Sequence, residues 1–416
     1  MKDEEIIEFL VQYDYDVRKT ENARWIDQKC TPDVLYIIAD CILHYVDSKG
    51  DRNIEFSTRD IWDFEYSVES VGDYFNKVHV LHEKAKNEYD KFFAQPLKLF
   101  GYSHILFESK KGNRNIYRIN NHELLSHIAT SDRFAYRFLI NYIPKVLNDS
   151  EIYDMFETFF TSQSKEEFKK LKKDFGDFTI KHTPINKHKE VNRIFTKIVN
   201  PLACYNSKFG TSGGYMSKQV ITFSDLSYNQ LNFRDVYAHK PKKTSREEWK
   251  QTEEYRARCE SVERVIERET TKAKRILREH NCTYRGCRSE VSGVDEDEAY
   301  PIHHIFPKSD FKKISDYLEN LIVLTPNQHA RAHRNNENNP HEINYHEINK
   351  SYQKKLLIVK AKRIDENIAN ESVQTIYSFD KLVEVINIGL SKDYEIVGNS
   401  YNDVINIINE SYSENI

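Results

Sequence analysis

No stretch of this chain stays apolar for the roughly 20 residues that a membrane-spanning helix needs, so a helical membrane protein is not expected. Cysteine is scarce and scattered: six residues in 416, with no dense framework. A disulfide-stapled secreted domain is therefore unexpected, and a reducing compartment fits better. The first residues, Met1-Lys2-Asp3-Glu4-Glu5, are acidic where a secretory leader would be basic. The expected location is the cytoplasm. There is no internal repeat and no low-complexity tract. A surplus of positive charge is also missing, since the whole chain carries −4. The deficit is local, however. From Asp365 onward ten acidic residues face only Lys381 and Lys392, a balance of −8 that leaves about +4 for the rest. Bulk charge thus does not exclude a nucleic-acid partner, and local patches decide.

What is present is a globular balance, 39% hydrophobic and 30% charged, in a chain long enough for two to four domains. The expected class is α+β and multidomain, with a mostly helical N-terminal part. Residues 1–50 read as helical, with Thr31-Pro32-Asp33 opening an apolar helix. The segment Arg24 to Lys29 reads equally as recognition or as capping. Residues 51–130 read as winged-helix-like. Helices are expected from Ser57-Thr58, over Ala85–Phe93 and over Pro96–Gly101. Two strands, 105–109 and 115–119, then flank Lys110-Lys111-Gly112-Asn113-Arg114. A basic hairpin tip of Lys110, Lys111 and Arg114 suits contact along a DNA groove; a solubilising turn is the plain alternative. Residues 131–245 read as a helical connector, irregular near Thr211-Ser212-Gly213-Gly214. Its basic stretches, Lys169 to Lys173 and His239 to Lys243, read as DNA-facing or as linker. A long charged helix from Arg246 to about Arg278 leads into residues 246–340. Residues 341–416 read as an acidic helical segment.

The densest chemistry lies in that fourth segment. Tyr300-Pro301-Ile302-His303-His304-Ile305-Phe306-Pro307 ends an apolar run on two histidines, Asn320-Leu321-Ile322-Val323-Leu324 reads as a strand, and Thr325-Pro326 opens a helix. His329 and His333, at i and i+4, project from one helix face and can share a divalent ion.

The strings His303-His304-Ile305-Phe306-Pro307, Asn320-Leu321-Ile322-Val323-Leu324 and His329-Ala330-Arg331-Ala332-His333 together resemble the ββα-metal (HNH) endonucleases, in the variant with an all-histidine metal site. The resemblance spans about residues 280–340. It implies His303, His329 and His333 as metal ligands, His304 as general base, and Asn320 as the brace of the loop presenting that base. It also implies a divalent metal, Mg2+ first with Mn2+, Ni2+ or Zn2+ as alternatives, and double-stranded DNA as substrate. The residues read alone agree with this division. Neighbours on a strand face opposite ways, so one histidine can ligate while the other takes a proton from water. One departure stands out: of the two Cys pairs that many members use for structural zinc, only Cys282 and Cys287 are candidates here, with Thr325 and Gln328 at the places of the second pair. Structural zinc is therefore not expected, and two thiols are.

Beside this core lies a basic run, Lys272, Lys274, Arg275, Arg278, Arg285 and Arg288 against Glu279, which reads as a phosphate-contacting face or as a solvated helix. A second catalytic arrangement, Glu108-Ser109-Lys110 with Asp33, has the carboxylate–lysine spacing of another nuclease fold but only three matching residues. The expected function is a sequence-specific, restriction-type DNA endonuclease. A ribonuclease or other defence nuclease with the same module, and a non-enzymatic DNA-binding regulator, are the rivals. Because one such site cuts one strand, a homodimer is expected. The apolar stripes Leu382, Val385 and Ile386, then Val404, Ile407 and Ile408, suit its interface or the chain's own core.

Overall fold

A computed structural model describes residues 3–75, 77, 86–228, 235–237, 240–291, 299, 301–334, 348–370, 373, 376–394 and 400–413. The sequence readings at Ala85, His239 and Tyr300 lie outside the described residues. Among the described residues the fold is mixed α and β, mostly helical with three small sheets. Five segments were expected, but the chain divides into two compact units, Met1–Lys243 and Thr244–Ile416.

The first unit begins with helices α1 (Asp3–Leu10), α2 (Val17–Thr20) and α3 (Pro32–Lys49). Pro32 stands in the first turn of α3 and Gly50 closes it in the left-handed conformation. Strand β1 (Phe56–Ser57) runs into α4 (Thr58–Trp62), where Ser57 and Asp60 form a capping box. Helices α5 (Glu65–Phe75) and α6 (Lys86–Tyr102) follow, then strands β2 (Leu106–Lys111) and β3 (Arg114–Ile119). Sequence predicts two helices around Pro96, yet α6 runs through it. Losing one backbone bond costs about 3 kcal/mol. Phe92, Phe93, Leu97, Leu99 and Phe100 are all buried, at roughly 1.5–3 kcal/mol each, and outweigh it.

β1, β3 and β2 form one antiparallel sheet in that order, and β2 joins β3 through a two-residue turn, Gly112-Asn113. The strands reach further into the basic stretch than expected, so Lys111 stands opposite Arg114. Helices α7 (His122–Ile128), α8 (Asp132–Asp149), α9 (Tyr153–Ser162), α10 (Lys165–His182) and α11 (His188–Tyr205) complete the helical body. Because α3 packs on α5, α6, α7 and α8, residues 1–50 and 131–149 share one core. The stretch expected to be irregular is a hairpin, β4 (Phe209–Ser212) and β5 (Tyr215–Val220). Gly213 and Gly214, at φ +59° and +85°, supply the two positive dihedrals that such a turn requires.

In the Arg24–Lys29 segment Arg24 and Gln28 are exposed, while Trp25, Ile26, Asp27 and Lys29 are buried. Trp25 is buried edge-on to Tyr142, whose hydroxyl donates to the Trp25 carbonyl, and the Lys29 ammonium donates to the Tyr228 hydroxyl at 2.7 Å.

In the second unit the expected long helix breaks at residues 251–252 into α12 (Arg246–Lys250) and α13 (Glu253–Arg285). Thr252 caps α13, which ends on Gly286 at φ +62°. Strands β6 (Ile302–His304) and β7 (Leu321–Val323) pair antiparallel, and α14 (Pro326–Ala332), α15 (Lys350–Ala369), α16 (Phe379–Leu390) and α17 (Tyr401–Ser413) follow. The C-terminal helices do not form a separate segment. Leu356, Leu382, Val385, Ile386, Val404 and Ile408 lie in the same core as Ile305, Leu321 and Val323, with Ile407 partly buried against it. Of the two readings of those stripes, the structure takes the second: they pack in the chain's own core.

Two further contacts fix this core. Lys360 and Glu290, at 0% and 2% exposure, pair at 2.7 Å, while the other Glu290 carboxylate oxygen accepts from the Val323 N–H at 3.0 Å. Gly389 of α16 lies so close to Phe306 that a β-carbon there would overlap the ring.

Candidate metal centre

The site is built on the β6–β7 pair and α14. His303 lies opposite Ile322, and His304 opposite Leu321. The start of α14 is held by a capping box in which the Thr325 hydroxyl accepts from the Gln328 N–H and the Gln328 side-chain oxygen accepts from the Thr325 N–H. Gln328 also accepts from the Ser289 hydroxyl. Thr325 and Gln328, which stand where structural cysteines would, thus anchor the helix themselves.

From this frame His303, His329 and His333 converge, with one ring nitrogen of each within 4.8 Å of the others and ring centroids 5.1 Å apart. Among the described residues it is the one cluster of three or more metal-ligating side chains. His303 is 3% exposed and its Nε2 has no hydrogen-bond partner. An orphaned buried nitrogen is costly, and a bound cation would satisfy it. Burial, followed by the neighbouring His329 and His333, pushes His303 down to about 3, and burial likewise lowers His329. Both are neutral at physiological pH, with lone pairs available to a metal.

His304 sits in a different environment. Its Nε2 lies 3.0 Å from the Ser315 carbonyl oxygen, which can only accept, so Nε2 carries the proton and Nδ1 keeps a lone pair. Burial first and the Lys274 charge second push it down to about 4, against the pull of the Ser315 carbonyl. The same Lys274 ammonium lowers His329, so His304 and the metal cluster border one region.

Asn320 is fully buried at the end of the loop that follows β6. Its Oδ1 accepts from the Phe306 N–H at 2.8 Å, and its Nδ2 donates to the carbonyls of Phe306 and Ile314 at 3.1 Å. Helix α13 fastens the same loop: Glu263 pairs with Lys312, Glu267 with Lys308, and the Thr270 hydroxyl donates to Ser315 at 3.3 Å. Lys274 is the next residue along this stripe, half-buried, and burial lowers its own pKa. Arg275 and Arg278 are exposed, and Lys272 is half-buried. Sequence reasoning missed Lys308, Lys312, Glu290 and Gly389, because each acts through a partner distant in sequence.

The cysteine expectation is overturned. Cys282 and Cys287 are joined in a disulfide rather than being two thiols. Left-handed Gly286 and Cys287 fold the chain back at the end of α13 and bring the two Cα atoms to 3.9 Å.

In the first unit Lys110, Lys111 and Arg114 are all exposed around the β2–β3 turn. Asp33 and Glu108 each have partners within the fold. Asp33 accepts from the Tyr228 N–H at 2.8 Å and is raised to about 6 by burial, while Glu108 is paired on the sheet opposite Tyr117. Compared with protein-family models, with curated proteins and with solved structures, the chain finds no match.

Proposed function

We propose that this chain is a divalent-metal-dependent endonuclease of the ββα-metal (HNH) kind, acting on DNA. The observation that carries the reading is the pairing of three converging imidazoles, one with an orphaned buried nitrogen, with an adjacent histidine whose Nδ1 is free to accept a proton. His303, His329 and His333 would hold the ion. Three nitrogen donors suit Zn2+, Ni2+ or Mn2+ better than Mg2+, which prefers oxygen. When bound, such an ion supplies Lewis acidity to the phosphodiester and its departing 3′ oxygen.

The protein's own groups do the rest. Ser315 orients His304 through Nε2, leaving Nδ1 to take the proton from an attacking water. Asn320 fixes the loop, and the Glu263, Glu267 and Thr270 contacts hold that loop to α13. Lys274, beside both His304 and His329, is placed to meet a phosphate oxygen.

DNA as substrate draws support from the first unit. Its order of helix, short strand, helices and hairpin, with sheet order β1-β3-β2, accords with a winged-helix reading. Lys111 directly opposite Arg114 places like charges together, an arrangement unfavourable alone and relieved by an anion. A restriction-type enzyme cutting both strands requires two copies of the centre, paired through a surface other than the buried stripes. The deciding experiment incubates the purified chain with a mapped plasmid and with RNA, with each of Mg2+, Mn2+, Ni2+ and Zn2+. Discrete plasmid fragments are expected. Intact plasmid under all four ions would refute the proposal, and degradation of RNA alone would reassign the substrate.

A further inference from the structure

Between residues 165 and 220 the chain holds twelve lysine or arginine residues against five acidic ones, an excess of seven positive charges in a chain whose total is −4. The segment comprises α10, α11 and the β4–β5 hairpin, which pack together, and nine of the twelve cations are exposed. One of its acids, Glu190, is already drawn by Arg24 from outside the segment at 3.5 Å.

The hairpin is held firmly on this basic body. The Lys172 ammonium donates to the Gly214 carbonyl at 2.7 Å, seating the turn against α10. Asn200 clamps Thr211, accepting from its N–H at 2.8 Å and donating to its carbonyl at 3.1 Å. Tyr215 follows the turn directly and is 78% exposed, and Tyr205 at the end of α11 is 64% exposed. Lys169 and Lys173, beside Lys172 on α10, are exposed. Aromatic rings offered to solvent on a fixed support, among exposed lysines, match one ligand chemistry well. Phosphates answer the lysines, and an open base face answers the tyrosine. A duplex hides its base faces in the stack, whereas an unpaired strand presents them.

We propose that this face of the first unit binds single-stranded nucleic acid, with phosphates along the α10 lysines and a base stacked on Tyr215. The site shares no residue with the histidine cluster or with the β2–β3 turn, and it requires neither.

The test is fluorescence anisotropy with the full chain in EDTA, so that no cleavage intervenes. Labelled oligothymidylate, oligouridylate and a mixed duplex, each of about 20 units, span the site sizes usual for such surfaces. One or both single strands should bind more tightly than the duplex, and the stronger of the two identifies DNA or RNA as the ligand. Tyr215→Ala should weaken single-strand binding about fivefold or more, with Tyr215→Phe near wild type. Lys169→Ala with Lys173→Ala should lower the log–log salt slope by about 0.7 per lost contact. Because Tyr215 is so exposed, thermal melting should be unchanged in the Ala variant. Equal binding of duplex and single strands, or an affinity indifferent to Tyr215→Ala, would overturn the proposal without touching the nuclease reading.

Discussion

Two histidines that adjoin in sequence have opposite fates, because alternate positions on β6 face different surroundings. His304→Ala should leave metal binding near wild type and lower cleavage by about 10² to 10⁴-fold, the usual worth of a general base. His329→Ala should instead weaken metal affinity, with cleavage partly restored by excess ion. Calorimetric titration of the metal alongside single-turnover cleavage separates the two, and wild-type rates in His304→Ala would discard its assignment as base. A third histidine, His127, lies 5% exposed in the first unit with Nε2 unpartnered, and burial pushes it down to about 3. The unfolded chain therefore binds this proton more readily, so the stability it confers is complete above about pH 6.5 and drains away toward pH 3. Between pH 7 and 5 the loss is about 2 kcal/mol from this residue. Replacing it with Gln should reduce the pH dependence of urea unfolding by that amount. At this scale the sequence is most readable: that His303, His329 and His333 converge and that Asn320 braces the loop after β6 follows from spacing and side-chain chemistry. Their surroundings do not, since Ser315, Lys308 and Glu290 reveal their contacts only once the chain has folded back.

Helix starts were legible as well, because caps are local. Thr325 with Gln328 and Ser57 with Asp60 lie within four residues of each other. The β4–β5 hairpin was not, since a Gly-Gly pair marks a loop and a tight turn equally, and only its packing on α11 decides. The β2–β3 hairpin was read from its strands, and its cations give a direct test. Replacing Lys110, Lys111 and Arg114 with Ala should flatten the salt dependence of duplex binding by about 0.9 in log–log slope per lost contact. An unchanged slope would return the hairpin to a solubilising turn. The contact of α16 with the loop after β6 yields a sharper prediction. Gly389→Ala puts a methyl group into the ring of Phe306, whose backbone is held by Asn320 at both N–H and carbonyl. Cleavage should fall at least tenfold while the affinity of the three histidines for metal holds, and the melting temperature should drop. Equal cleavage by variant and wild type would show that the loop absorbs the shift.

As a whole the molecule is two bodies, and the division at 243/244 falls close to the boundary expected at 245/246; the finer boundaries on either side of it do not survive, because burial, not composition, joins those segments. The acidic segment 341–416 reads as separate on its charge, yet its apolar stripes complete the core that Ile305, Leu321 and Val323 share. Lys360 makes that dependence measurable. Its pairing with Glu290 is buried on both sides, and leaving one charge unpaired there costs about 3–5 kcal/mol. Lys360→Met should destabilise the second unit by that order in denaturant titration and, through Glu290 and β7, impair cleavage as well. Lys360→Met paired with Glu290→Gln should recover much of the loss; no recovery would mean that Glu290 acts chiefly through Val323. The disulfide at the end of α13 has an analytical consequence. With Cys282 and Cys287 joined to each other, the sulfur ligands on which a second, structural ion would depend are withdrawn. Among the described residues the histidine triad is then the one cluster left to hold an ion, and an elemental assay of the oxidised protein is expected to approach one ion per chain.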